Sequence, residues 1–220
     1  MPMPNAVFKA ADLPGVIPVF PLDGVLLPPR GLLPLNIFEP RYLNMIDDAM
    51  AAERIVGMVQ TRSGGDRERP ALAGVGGAGR ITSFAETQDG RYLVTLTGVC
   101  RFRLGAELSA PTPYRQVRAD FEPFAHDLSP SDDDAAGRDR LLATLKRYLH
   151  GRNMDIDWTT AADAPLEALV NSLSMALPLG AAEKQALLEA VTLADRAETL
   201  TIILRIAAAG EDGDGPPILQ

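Results

Sequence analysis

From Tyr92 to Leu104 the chain alternates. Even positions read Tyr, Val, Leu, Gly, Cys, Phe and Leu, while the odd positions include Thr95, Thr97, Arg101 and Arg103. Period two over that length predicts one long strand with a buried face, with Gly98 as the place for a bend. Just upstream, Asp89-Gly90 lies between extended runs, the residue pair of a tight hairpin. Short apolar runs at 16–20 (VIPVF), 32–38 (LLPLNIF) and 54–60 (RIVGMVQ) predict further strands. The prolines in the first two are those of edge strands or strand ends. Between the second and third runs, residues 40–52 carry a helical pattern that opens on Pro40, whose missing N–H would have had no partner at the first helical position. Residues 114–124 (YRQVRADFEPF) read as a further, more polar strand.

The period then changes. Leu141, Leu142, Leu145, Tyr148 and Leu149 fall at helical spacing, as do Leu166, Leu169, Val170, Leu173 and Leu177. A third helical segment holds Leu187, Leu188 and Val191. A fourth runs from Leu193 through Leu204 and Ala207, with Gly210 as its expected stop. The polar stretch at 128–137 (LSPSDDDAAG) marks the boundary. The expected organisation is α+β: a β-rich part over 1–125 with one helix, a helical bundle over 126–210, and a disordered acidic tail over 211–220.

Charge sharpens this division. The net charge is −8 over 220 residues, but residues 1–125 carry 13 basic and 13 acidic side chains, whereas 126–220 carry 8 and 16. An acidic half repels phosphate backbones, and the neutral half has no basic block, so nucleic acid is disfavoured as a partner. The apolar runs are too short or too interrupted to span a membrane: Pro18 and Pro21 break the first, and Arg205 lies in the last. A single cysteine, Cys100, excludes an intrachain disulfide and suits a reducing compartment. The expectation is a soluble cytoplasmic protein.

Candidate chemistry is sparse. Residues 74–79 (GVGGAG) match the dinucleotide-binding spacing G-x-G-x-x-G. That motif works only between a strand and a helix whose N-terminus meets the pyrophosphate, and here a strand follows instead. The stretch is therefore expected to be a flexible glycine-rich loop. Cys100, His126 and His150 are too few and too dispersed for a metal site. Cys100 is expected in the core, and His150 at a helix end. The run Asp132-Asp133-Asp134 lacks the alternation of a calcium loop and reads as linker. There is no G-x-S-x-G, no S-x-x-K and no Walker-type loop. No cofactor and no metal are expected.

One junction stands out. In PLNIFEPRYLNMI (34–46), strand gives way to helix at Glu39-Pro40-Arg41-Tyr42. A cation in the first helical turn opposes the helix dipole by about 0.3–1 kcal/mol. Arg41 is therefore expected to pair with Glu39 or with nearby groups, fixing the corner as a structural lock, with peptide contact as the alternative role. As a buried lock it would make Arg41→Ala lower the melting temperature by several degrees.

Taken in order, these segments resemble a known family. The stretch VIPVFPLDGVLLPPRGLLPLNIFEPRYLNMI, then RIVGMVQ, GRITSFAETQDGRYLVTLTGVCRFRL, PYRQVRADFEP and NSLSMALPLGAAEKQALLEAVTLADRAETLTIILR are similar to the N-terminal substrate-binding domain of Lon proteases over about residues 16 to 206. The resemblance implies a PUA-like β pseudo-barrel followed by a helical subdomain. Without the ATPase and proteolytic domains of a complete Lon protease, it implies a stand-alone, non-catalytic module that recognises unfolded or flexible polypeptide or another protein. A sheet edge could add a peptide strand and an apolar groove between the two subdomains could hold side chains; Leu32, Leu33, Leu35 and Ile37 are candidates to line such a surface, with the buried core the expected home of most of them. Two other readings are a PUA-like nucleic-acid binder, using a stripe of Arg91, Arg101, Arg103, Arg115 and Arg118, and a small hydrolase whose site leaves no linear motif. The family-signature residues are Glu39, Pro40, Arg41 and Tyr42.

Overall fold

The structure, a computed structural model, describes residues 9–66, 69–129 and 137–211. The first half carries β1 (Val16–Pro21), β2 (Leu32–Ile37), α1 (Pro40–Ala51), β3 (Ile55–Val59), β4 (Thr61–Gly65), β5 (Pro70–Leu72), β6 (Val75–Glu86), β7 (Tyr92–Glu107), β8 (Arg115–Asp120) and a 3-10 turn (Glu122–Leu128). The second carries α2 (Arg138–Gly151), α3 (Trp158–Asp163), α4 (Leu166–Ala176), α5 (Ala181–Glu189) and α6 (Leu193–Glu211). The fold is α+β, with the strands before the helix-rich part. Two compact units result, Met1–Pro130 with Leu177–Glu189, and Ser131–Ala176 with Ala190–Gln220. Thus α5 belongs to the strand-rich unit, although its sequence lies among the other helices.

In the first unit, β7 pairs with β6, β6 with β3, β3 with β1, β1 with β8, and β8 returns to β7. The result is a ring of strands rather than a clean barrel, with β2 attached outside the ring to β7. Only β1 and β3 run parallel; the other pairs in this sheet are antiparallel. The 16 residues of β7 make this possible. Tyr92–Thr97 lies between β2 and β6, whereas Arg103–Glu107 pairs with β8. The β6–β7 turn is the Asp89-Gly90 hairpin, with Gly90 at φ 78° and its N–H on the Thr87 carbonyl at 2.9 Å.

The prolines sit where a ladder bond is dispensable. Pro34 lies in β2, which has one strand neighbour among the described residues. Pro18 is in an inner strand, not at an edge, but it precedes Val19, where the pairing of β1 with β3 begins.

The glycine-rich stretch is not a loop, contrary to expectation. Gly76, Gly77 and Gly79 are inside β6, and all three are buried. A Cβ on Gly77 would lie 1.9 Å from the Leu27 carbonyl oxygen, and one on Gly76 would lie 2.7 Å from the Phe102 ring. These glycines let a connecting segment and an aromatic ring press against the sheet. Phe102 packs with Ile17, Val19, Cys100, Val117, Phe121 and Phe124 in one core. A second core joins α1, through Tyr42, Met45, Ile46 and Ala49, to Ile37, Val56, Met58, Val94 and Leu96.

The alternation of β7 holds from Val94 to Phe102 and fails at one position. Arg101 belongs to the polar set but is 1% exposed. Its Nε donates to Asp127 Oδ2 and its Nη2 to Asp127 Oδ1, both at 2.8 Å. A further N–H reaches the Leu188 carbonyl at 3.0 Å, and His126 Nε2 lies 3.1 Å from Nη2. Asp127 comes from the 3-10 turn and Leu188 from α5, so the guanidinium ties three elements together. Further bonds anchor α5. Gln60, 2% exposed, donates to the Ala181 carbonyl at 3.1 Å, and Lys184 Nζ donates to the Gly24 carbonyl at 2.9 Å.

In the second unit α2, α4 and α6 bury the predicted stripes: Leu141, Leu145, Tyr148 and Leu149, then Leu166, Leu169, Val170 and Leu173, then Ala197, Leu200 and Leu204. Within that core Arg196 donates to Asn171 Oδ1 at 3.0 Å. Helix α6 opens on a capping box: Thr192 and Asp195 exchange side chain-to-backbone bonds of 3.0 and 3.1 Å. It runs to Glu211, past the Gly210 expected to stop it. Helix α3 has no stripe in the sequence pattern; its signal is the Asp157 cap, which accepts from the Thr159 and Thr160 N–H groups. After Glu211 the expected acidic tail lies outside the described residues, as do Asp132, Asp133 and Asp134.

Candidate functional site

Glu39 occupies the N-cap position of α1 with extended backbone (φ −73°, ψ 130°), and its carbonyl accepts from the Tyr42 and Leu43 N–H groups. Its carboxylate caps no backbone group. It turns instead to Arg41, whose Nε and Nη2 reach Glu39 Oε2 at 3.0 and 2.8 Å. Arg41 then lies over the Tyr42 ring, with Cζ 4.6 Å from the centroid. The carboxylate offsets the unfavourable field at the helix start. The pair, however, is 43% and 46% exposed, so its net contribution is that of a surface ion pair, about 0.2–1 kcal/mol. The several-degree effect expected for a buried lock does not follow from this geometry.

Tyr42 itself is buried, its ring 4.1 Å from that of Phe20. Burial raises the phenol above its ordinary pKa, against the opposing pull of Arg41. Among the described residues its hydroxyl has no hydrogen-bond partner. Arg41 and Tyr42 line a cleft of about 700 Å³ together with Pro21, Thr61, Pro70, Pro113, Tyr114 and Arg115. All of these residues belong to the strand-rich unit. The cleft lies where β1 ends and where β4, β5, β8 and α1 begin.

Its other polar groups are already engaged. The Tyr114 hydroxyl donates to Asp48 Oδ2 at 2.6 Å; burial, and then this acceptor, push its pKa up to about 12. The Thr61 N–H and hydroxyl both donate to Asp23 Oδ1, at 2.9 and 2.6 Å. Arg115 grips both oxygens of Glu107, at 2.9 and 2.6 Å, and donates to the Pro70 carbonyl at 2.7 Å. Those hydrogen bonds, with Arg69 adding a second guanidinium, hold the Glu107 carboxyl below its ordinary pKa.

The structure thus brings Arg41 and Tyr42 into one cleft with Tyr114, which the sequence pattern did not single out, and with Arg115, which it named only as part of an arginine stripe. Tyr114 and Arg115 directly follow Pro111-Thr112-Pro113 in the chain. The residues named for a sheet-edge surface divide: Leu32 is 62% exposed, Leu33 and Leu35 are half-buried, and Ile37 is in the core. Other proposed chemistry is not assembled. Cys100 is buried, donates to the Phe124 carbonyl, and has its thiol pushed up to about 12 by burial. Among the described residues no three of His, Cys, Asp and Glu are placed to hold a metal ion, and no helix is long and apolar enough to cross a membrane.

Comparison with known proteins gives a consistent answer. Residues 16–205 match the family model described as the ATP-dependent protease La (LON) substrate-binding domain. A Lon protease of Parabacteroides distasonis is 28% identical over 198 residues, which are 86% of this chain and 23% of that protein. A Lon protease of Syntrophus aciditrophicus is 29% identical over 129 residues, 54% of this chain and 16% of that protein. The chain therefore spans less than a quarter of the length of either relative. Among solved structures, a Lon N-terminal domain protein from Xanthomonas campestris superposes with a TM-score of 0.61 at 22% identity, covering 85% of this chain and 97% of that one. The N-terminal domain of a Mycobacterium avium complex Lon protease gives 0.60 at 21%, covering 86% and 97%. With residues 16–205 matching the family model, and with two Lon N-terminal domains superposing on most of its length, this chain belongs to the Lon substrate-binding domain family.

Proposed function

We propose that this chain is a non-catalytic polypeptide-recognition module acting in the cytoplasm, and that the cleft holding Arg41 and Tyr42 contacts the bound chain. The observation that carries the reading is the conjunction of family membership with an open cleft that combines apolar rim, aromatic side chains and spare hydrogen-bond donors. Proteolysis and ATP hydrolysis, which belong to the full-length relatives, are not carried over: the chain spans less than a quarter of those relatives, and these 220 residues contain no Walker-type loop. The buried Cys100 thiol and the ion-paired arginines offer no nucleophile–base pair in their place.

The nucleic-acid reading loses support from the same geometry. Of the five arginines in the supposed stripe, Arg101 is buried on Asp127 and Arg115 is committed to Glu107. The test is titration of the full chain with a reduced, carboxymethylated protein, followed by fluorescence anisotropy. Saturable binding, weakened by Arg41→Ala with the fold intact, is expected. Absence of binding at high micromolar concentration would overturn the reading.

A further inference from the structure

The helix-rich unit gathers its unpaired cations in one place. Of the 8 Lys and Arg side chains in residues 126–220, five are engaged. Arg138 donates to the Ala162 and Ala164 carbonyls, Arg140 pairs with Glu198, and Arg196 donates to Asn171. Lys184 donates to the Gly24 carbonyl, and Arg152 lies over the Tyr148 ring at 3.9 Å. Lys146, Arg147 and Arg205 remain. Among the described residues none of these three has a hydrogen-bond or ion-pair partner.

Arg147 and Arg205 line a cleft of about 310 Å³ with His150, over the closing turns of α2 and α6, where Gly151, Ala208 and Ala209 leave room. Lys146, Arg147 and His150 line an adjoining cleft of about 410 Å³ with Trp158. The first cleft has no carboxylate in its lining. The second has Asp155, which accepts from the Ile156 N–H and Trp158 Nε1, both at 2.9 Å. This half of the chain holds 16 acidic side chains against 8 basic ones, yet none of those described pairs with these cations. Like charges gathered at a surface repel one another, and a bound anion relieves the repulsion. A helix C-terminus also favours cations, which accounts for His150, but Lys146 and Arg205 each lie more than a turn before their helices end.

Two features choose the anion. A compact phosphate is held by converging backbone N–H groups, as at a helix N-terminus, whereas the turns lining this cleft close their helices and present carbonyls. A long polyanion such as nucleic acid extends past the clefts onto a surface of net negative charge. Carboxylates spaced along a short chain suit separate guanidinium forks. We infer that the helix-rich unit binds a short acidic segment of another polypeptide, anchored by Arg147 and Arg205 with Lys146 beside them. This site shares no residue with the Arg41 cleft, so each stands or falls alone.

The test is an anisotropy titration of the full chain at low ionic strength, with a short labelled peptide of alternating Asp and Ser and its Asn-Ser counterpart. The aspartate peptide is expected to bind about ten-fold tighter, and more weakly as salt is raised. Arg147→Gln combined with Arg205→Gln should remove about ten-fold of that affinity, and Lys146→Gln about three-fold. The melting temperature should not change, because all three side chains are exposed and unpaired. Equal binding of the two peptides, or indifference to these substitutions, would overturn the inference. So would a loss caused by Arg41→Ala instead, or displacement of the peptide by inorganic phosphate where chloride of equal ionic strength leaves it bound. Asp212→Asn with Asp214→Asn asks whether the chain's own carboxylates fill the clefts: unchanged affinity supports a separate partner, and several-fold tighter binding overturns it.

Discussion

Arg101 and Asp127 form a two-point ion pair inside the strand-rich unit, 1% and 5% exposed, with Nε and Nη2 each 2.8 Å from a separate carboxylate oxygen. Asp127 Oδ2 also accepts the backbone N–H of Arg101 at 3.0 Å. A strand whose alternation would place this side chain in water instead holds it beneath the 3-10 turn. The cation also lies 4.5 Å from the Phe124 ring centroid.

Removing one member of this pair strands the other. Asp127→Ala should cost about 3–5 kcal/mol, read as a lower urea midpoint. Arg101→Met combined with Asp127→Leu should recover much of that loss, because neither charge is then left buried. A double variant as unstable as the single one would show that the bonds to Leu188 and His126 matter more than the pair.

Arg41→Ala should behave differently. The Glu39–Arg41 pair is half exposed, so the stability change should stay within about 1 kcal/mol. Affinity for polypeptide should fall in the same variant, which separates contact from scaffolding. A large drop in melting temperature would restore the lock.

Gly77→Ala tests the close approach to Leu27. The new methyl would lie 1.9 Å from a backbone oxygen, which cannot rotate away. Overpacking of this kind costs typically about 1–3 kcal/mol and sometimes more. Gly74→Ala, where a Cβ meets nothing within 4 Å, is the matched control and should be nearly silent. Equilibrium denaturation of the two variants checks both outcomes.

Acid should weaken the rim of the cleft through Glu107. Arg115, and then Arg69, hold its carboxyl below the ordinary value of 4.5. A folded-state pKa below the unfolded one stabilises fully above the unfolded value, and that stabilisation is lost as pH falls through the folded value. Stability measured from pH about 6 downward should therefore decline, and Glu107→Gln should flatten the part of the decline below about 4.5. An unchanged acid limb in Glu107→Gln would count against this assignment.

Much of the fold was legible because its signals are local. The alternation of β7, the Asp89-Gly90 turn and the Leu stripes of α2, α4 and α6 each report on their own neighbourhood. What stayed hidden depends on partners distant in sequence. Nothing in GVGGAG reveals that Leu27 and Phe102 press on those glycines, so a strand reads as a loop. Nothing around Arg101 announces Asp127 or Leu188. The cleft shows the same division: Arg41 and Tyr42 stood out because a cation at a helix start is locally anomalous. Tyr114 did not, because its partner Asp48 is 66 residues away, and Arg115 drew notice only for an arginine stripe, not for its pairing with Glu107.

The return of Leu177–Glu189 to the first unit carries a consequence for how the molecule is made. A nascent chain that has emerged only through the last strand leaves the Arg101 guanidinium and the Gln60 amide short of the carbonyls that α5 will bring, those of Leu188 and Ala181. The ring therefore waits, incompletely satisfied, while the 60 residues between β8 and α5 leave the ribosome and the intervening helices collapse on themselves. Synthesis order and assembly order run opposite at this point, and a stalled translation product ending before α5 would be a natural client for chaperones.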